Sequence, residues 1–244
     1  MLSSTPVPRR LIGLTASASI EVERKFSLPS PGALSERVLA NGGTLVGEVR
    51  FTDSYWDTAG CALTRRDMWL RRRDEQWELK LPIEEDARRS GGERTVFREI
   101  ETAGAVGAAL EALLPGWVWN RDEPVGSESE EAARLEARLR DATLEPFAMF
   151  TTTRSKLRVG ACAVDADIAD FGHSVLELEV MCASAADVPV AEAEISRVAA
   201  LLGAEALGQS GGKLETYIRR HCPEVEAQLI AARVLQPAAV VRIE

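Results

Sequence analysis

Four pairs of like charges stand two residues apart in this chain of 244 residues: Glu21/Glu23, Arg71/Arg73, Asp165/Asp167 and Glu177/Glu179. A β-strand rises about 3.3 Å per residue, so each pair puts its charges about 6.6 Å apart on one face. Lys25 continues the first pair at the same spacing, and Lys80, Arg154, Lys156 and Lys213 add further cations. Gathered carboxylates suit Mg2+, a hard cation that takes oxygen ligands and keeps waters and substrate phosphates in its shell. Arginines suit phosphate oxygens, because the planar guanidinium binds them bidentately. Brought together, the two sets describe a metal-dependent site for a chain of phosphates.

Any one pair could equally be the wet face of an amphipathic strand. The opposite faces change that balance. Ile20 and Val22, then Val164, Ala166 and Ile168, then Val175, Leu176, Leu178 and Val180 are apolar and need cover. Amphipathic helical segments are present to cover them. If helices pack outside, the charged faces turn into the lumen of a curved sheet, which makes a β-barrel the consistent geometry. Charges left unpaired in such a lumen would cost several kcal/mol each, so the site needs a bound cation and a bridging anion.

The elements that would hold these faces read as follows. Ile20 to Phe26 alternates at period two, the signature of a strand. Ser30-Pro31 opens a helix with the apolar stripe Leu34, Val38 and Leu39, and Asn41-Gly42-Gly43 stops it. Thr44 to Trp56 is β-rich. Met68 to Arg73 and Gln76 to Leu81 form two strands around the turn Asp74-Glu75, with Trp69, Arg71 and Arg73 sharing one face. Residues 84–93 form a polar, mobile loop before a strand over Arg94 to Glu101. Helices are expected over 103–114 and 128–142. Strands follow over Phe147 to Val159, Cys162 to Ile168 and Val175 to Cys182, and helices over Val190 to Leu202, Lys213 to His221 and Val225 to Val234. The total is about eight strands, antiparallel because several connections are too short for a crossover.

A net charge of −9 argues against nucleic acid as a partner. Hydrophobic content of 45% supports a packed core, and no apolar run approaches the ~18 residues that span a bilayer. Cys61, Cys162, Cys182 and Cys222 form no C-x-x-C pair, which fits a reducing, cytoplasmic setting. Residues 1–19 contain Arg9 and Arg10 and no acid; they read as a disordered tail, or alternatively as a short organelle leader. Gly208 to Lys213 imitates a phosphate-binding P-loop, but it is one residue short and Leu214 replaces the Ser/Thr, so that reading is rejected. His173 and His221 read as structural.

The ordered motifs resemble one known family. Glu21-Val-Glu-Arg-Lys25 is similar to the E-x-E-x-K signature of the CYTH domain, the triphosphate tunnel metalloenzymes. Trp69 to Arg73, Trp77 to Lys80, Glu99, Arg154-Ser-Lys156, Val164 to Gly172, Leu176 to Val180 and Gly212-Lys-Leu214 follow in family order. Asp53-Ser-Tyr-Trp-Asp57 and Trp69, one residue removed from the arginines, resemble the branch that hydrolyses thiamine triphosphate. The resemblance implies an α+β fold, an eight-stranded antiparallel barrel with helices packed outside, occupying residues 20–222, with a C-terminal helix and tail over 223–244. It implies that Glu21, Glu23, Asp165, Glu177 and Glu179 hold one or two Mg2+ ions, Mn2+ being the alternative. Lys25, Arg71, Arg73, Lys80, Arg154 and Lys213 would cradle the triphosphate. Trp69 would stack on the thiazolium by a cation–π contact, or else pack as an ordinary core aromatic. Glu23 is the candidate for orienting the attacking water, with Lys80 second. The expected partner is a small-molecule triphosphate, with no nucleic acid or membrane, acting on a monomer. Tripolyphosphate or a nucleoside triphosphate remains the alternative substrate, and a non-catalytic polyphosphate-binding module the alternative role.

Overall fold

The computed structural model describes residues 19–83, 94–120, 126–207 and 211–237. The expected loop over 84–93 and residues 1–18 of the expected tail lie outside the described residues. The first strand, β1 (Ser19–Phe26), leads to α1 (Pro31–Ala40) and the long β2 (Thr44–Thr58). A short 3-10 turn (Thr64–Arg66) precedes β3 (Trp69–Arg73), β4 (Gln76–Pro82) and β5 (Arg94–Glu101). Then come α2 (Ala103–Leu113), α3 (Glu128–Asp141), β6 (Leu144–Val159), β7 (Cys162–Ala169) and β8 (His173–Cys182). Three helices close the described chain: α4 (Val188–Leu202), α5 (Lys213–His221) and α6 (Pro223–Ala231).

The eight strands close into a barrel in the order β1-β5-β4-β3-β2-β6-β7-β8. Every neighbouring pair is antiparallel. Alternation along each strand does what the sequence pattern demands. In β1, Ile20, Val22 and Phe26 are buried with Leu34 and Val38 of α1 and Ile195 and Val198 of α4, together with Val164, Leu176 and Leu178 of β7 and β8. On the other flank α2 and α3 bury Val106, Leu110, Leu135 and Leu139 against Leu70, Trp77, Leu79 and Ile100. Each fully buried side chain of this kind contributes about 1.5–3 kcal/mol. The helices therefore clothe the outside, and the charged parity is left for the lumen.

Three details of the apolar pattern differ from expectation. Leu39, on α1, is 54% exposed and Ile168, on β7, is 51% exposed, so neither belongs to the covered apolar face. Val175 is buried on the same strand parity as Glu177 and Glu179, so it faces inward with the acids and not outward with Leu176 and Leu178. The last helix begins at Pro223, where the missing N–H is harmless at the first helical position, two residues before the expected start at Val225.

Candidate active site

Register brings the inward charges face to face. Glu23 on β1 lies opposite Glu179 on β8, and Lys25 lies opposite Glu177. On β3 and β4, Arg71 is opposite Glu78 and Trp69 opposite Lys80, while Lys80 also faces Glu99 on β5. Arg154 on β6 faces Asp167 on β7, and Asp165 faces Glu177. One cavity of about 560 Å³ is lined by all twelve residues expected at the site: Glu21, Glu23, Lys25, Trp69, Arg71, Arg73, Lys80, Arg154, Asp165, Glu177, Glu179 and Lys213.

Within the cavity the acids divide into two groups. Glu21, Glu23 and Glu179 each offer a carboxylate oxygen, and these atoms all lie within 4.8 Å of one another. Asp165 and Glu177 stand apart from that trio and bind cations. The Arg154 guanidinium donates to Asp167 from Nε at 2.7 Å and from Nη2 at 2.6 Å, to Asp165 from Nη1 at 2.5 Å, and to Glu177 from Nη2 at 2.7 Å. Lys213, the first residue of α5, donates to Glu177 Oε1 at 2.6 Å and also to Asp167. Lys213, the last residue of the P-loop imitation, is thus a helix start whose ammonium enters the barrel. Lys80, opposite Trp69, pairs with Glu21 and, at 2.6 Å, with Glu99, and Lys25 pairs with Glu23. Arg71 Nη2 donates to Glu78 Oε2 at 2.6 Å, and Arg73 binds Asp53 bidentately at 2.7 and 2.9 Å.

The trio carries excess negative charge. Burial, then the charges of Glu21 and Glu23, push the Glu179 carboxyl up to about 8. Burial likewise raises Glu21, with Glu99 adding to the shift and Lys80 opposing it. The paired acids behave in the opposite way. Burial pushes Glu78 upward, but Arg71 and Lys80 outweigh it and hold the carboxyl at about 2. Lys213 and Arg154 likewise overcome burial and hold Glu177 well below the usual range. Asp165 is raised by burial, and its Oδ1 is buried without a hydrogen-bond partner among the described residues. A hard divalent cation fits this donor set: three close carboxylates short of positive charge, and one further carboxylate oxygen without a donor.

A pH signature follows. At pH 7 a Glu179 carboxyl with a pKa near 8 holds its proton, whereas a metal ligand must shed it. If Glu179 is one of the ligands, binding of a divalent cation should release protons at pH 7 and tighten as pH rises to about 8. Calorimetric titrations in buffers of different ionisation enthalpy should give different heats at pH 7 and equal heats at pH 9. Equal heats at pH 7 would refute the assignment.

Sequence reasoning named Asp53, Tyr55, Glu78 and Glu99 within its motifs but gave them no part in the site. Asp53 is fully buried and sets the angle of Arg73, and Tyr55 follows it at inward parity. Glu78 and Glu99 are the ion partners of Arg71 and Lys80. Their signal was present, since Glu78 alternates with Lys80 and Asp53 with Tyr55. Gly212 stood in the Gly212-Lys-Leu214 motif without a stated reason: a Cβ there would lie 2.8 Å from Lys25 Cε and push that side chain aside.

Comparison with known proteins extends this picture. The profile of the CYTH domain family matches residues 19–209. Human thiamine-triphosphatase is 36% identical over 225 residues, covering 88% of this chain and 91% of the human protein. The Macaca fascicularis thiamine-triphosphatase is 34% identical with the same coverage. Among solved structures, the PH1012 protein of Pyrococcus horikoshii OT3 superposes with a TM-score of 0.50 at 15% identity, covering 75% of this chain and 90% of that one. A conserved hypothetical protein of Pyrococcus furiosus gives the same score, identity and coverage. Those two likenesses concern the fold alone.

Proposed function

Because the chain belongs to the CYTH domain family, we propose that it hydrolyses thiamine triphosphate to thiamine diphosphate and phosphate inside the barrel, aided by Mg2+. The observation that carries this reading is the single cavity in which an acid trio, six cations and Trp69 converge. Glu21, Glu23 and Glu179 would hold the ion. Asp165, with Glu177 beside it, is the candidate ligand for a second one. Mn2+, equally tolerant of carboxylate oxygens, is the alternative. Such an ion supplies charge neutralisation of the phosphates and a more acidic bound water.

The chain's own residues do the rest by position and charge, as phosphoryl transfer requires. Lys25, Arg71, Arg73, Lys80, Arg154 and Lys213 exchange carboxylate partners for phosphate oxygens as substrate enters. The six then surround the terminal phosphoryl group and the diphosphate that leaves when water attacks the terminal phosphorus. Lys80 is desolvated, but Glu21, Glu78 and Glu99 hold its ammonium charged well above the usual range, so it serves as a hydrogen-bond donor to phosphate oxygens and not as a base. Orienting the water falls to Glu23. Trp69 is half-buried between the cavity and the apolar cluster of Ile218, Leu229 and Leu235, where its ring can meet the thiazolium. A reducing cytoplasmic setting belongs to the same proposal and rests on four free cysteines.

The test compares kcat/KM for thiamine triphosphate, tripolyphosphate and ATP with Mg2+. Thiamine triphosphate should lead. A preference for tripolyphosphate above about tenfold, about 1.4 kcal/mol, would reassign the substrate. Trp69→Ala should lower the ratio of thiamine triphosphate to tripolyphosphate turnover by roughly tenfold, the scale of one desolvated cation–π contact. Equal losses on both substrates would make Trp69 a packing residue.

A further inference from the structure

We propose that Asp67 is a specificity-determining residue of the tunnel. Its carboxylate fixes the plane of the Trp69 ring and places a negative charge beside it. That charge selects a triphosphate ester of a cationic heteroaromatic alcohol over an all-anionic polyphosphate. The proposal deepens the thiamine triphosphate reading and rests on it.

Four observations converge. Asp67 and Trp69 both line the cavity, and Trp69 Nε1 donates to Asp67 Oδ1 at 2.9 Å. An indole that donates to an anion gains electron density, which strengthens its attraction for a cation over its face. Asp67 has φ 59° and ψ 33°, a left-handed conformation that Asp and Asn tolerate better than most residues. The turn is also rigid. Buried Asp57 accepts from the Leu63 and Thr64 amides and from Thr64 Oγ1, and the Asp67 amide donates to the Thr64 carbonyl at 2.9 Å. Apolar Leu214, Ile218 and Leu235 from the α5–α6 region border the same part of the cavity. Aromatic face, apolar wall and fixed negative charge together suit an organic cation, and the charge repels a second polyanionic end.

Two variants separate charge from geometry. Asp67→Asn keeps the left-handed backbone and an oxygen acceptor for the indole but removes the charge. Asp67→Gly keeps the backbone and removes the acceptor as well. With Mg2+, kcat/KM is measured for thiamine triphosphate and tripolyphosphate on each. Asp67→Asn should lower the ratio of the two about fivefold, the scale of one partly screened ion pair, and Asp67→Gly should lower it further. Raising the salt concentration should bring the wild-type ratio closer to that of Asp67→Asn, because screening of the other tunnel charges is common to both proteins and only screening of Asp67 differs. A ratio for Asp67→Asn within twofold of wild type overturns the proposal. If Trp69→Ala lowers the ratio while Asp67→Asn does not, the Asp67 assignment alone falls. If the wild type itself prefers tripolyphosphate, the substrate reading falls and takes this proposal with it.

Discussion

Glu179→Gln should cut kcat/KM for thiamine triphosphate by at least about a hundredfold, about 2.7 kcal/mol. The amide keeps the shape of the side chain but supplies no charge to the cation that Glu21, Glu23 and Glu179 are proposed to share. The same change should stabilise the metal-free protein at high pH. A folded pKa near 8 against the ordinary 4.5 means that the native state binds the extra proton across that window. Stability of the wild type therefore declines as pH rises from 4.5 to 8, and the variant lacks that decline. The gap between them should open across this range and be widest above pH 8. Denaturant unfolding with EDTA at pH 6 and pH 9 measures it. Loss of activity with no gain in metal-free stability at pH 9 would mean that Glu179 is not crowded by its neighbours.

The second large effect is on folding. Arg154 is buried and binds Asp165, Asp167 and Glu177 at once. Removing one partner of a buried ion network strands the others, which costs about 3–5 kcal/mol. Arg154→Ala should lose stability on that scale by urea unfolding, and Arg154→Lys less, since the ammonium keeps the positive charge even though it cannot reach all three carboxylates. A cost below about 1 kcal/mol for Arg154→Ala would show that water reaches these groups freely. Arg72 provides the contrast. Its pair with Glu136 is partly exposed at the barrel's outer wall, where ion pairs contribute little.

Much of this architecture was legible before any coordinates. Period-two alternation, with charge on one parity and Ile, Val or Leu on the other, is a local property, and it identified the lumen face of β1, β3, β4, β7 and β8. Helix limits such as Pro31, Gly203 and Lys213 were likewise written in local chemistry. Pairing was not, because register joins residues remote in sequence: Glu21 meets Lys80, and Glu177 meets both Arg154 and Lys213. No local pattern says that Glu179 completes a trio with Glu21 and Glu23 while Asp165 and Glu177 turn to Arg154. Alternation also fails where both faces of a strand are buried, which is why Val175 was placed on the wrong side. The Asp67–Trp69 contact depends on a left-handed turn that hydrophobic periodicity does not register.

The most direct test of the enclosed acid-and-cation site is phosphate release from thiamine triphosphate by the purified wild-type protein, before EDTA, after EDTA, and after Mg2+ is restored in excess. Release should collapse with the chelator and return with the metal. Turnover that continues undiminished in EDTA would contradict the account.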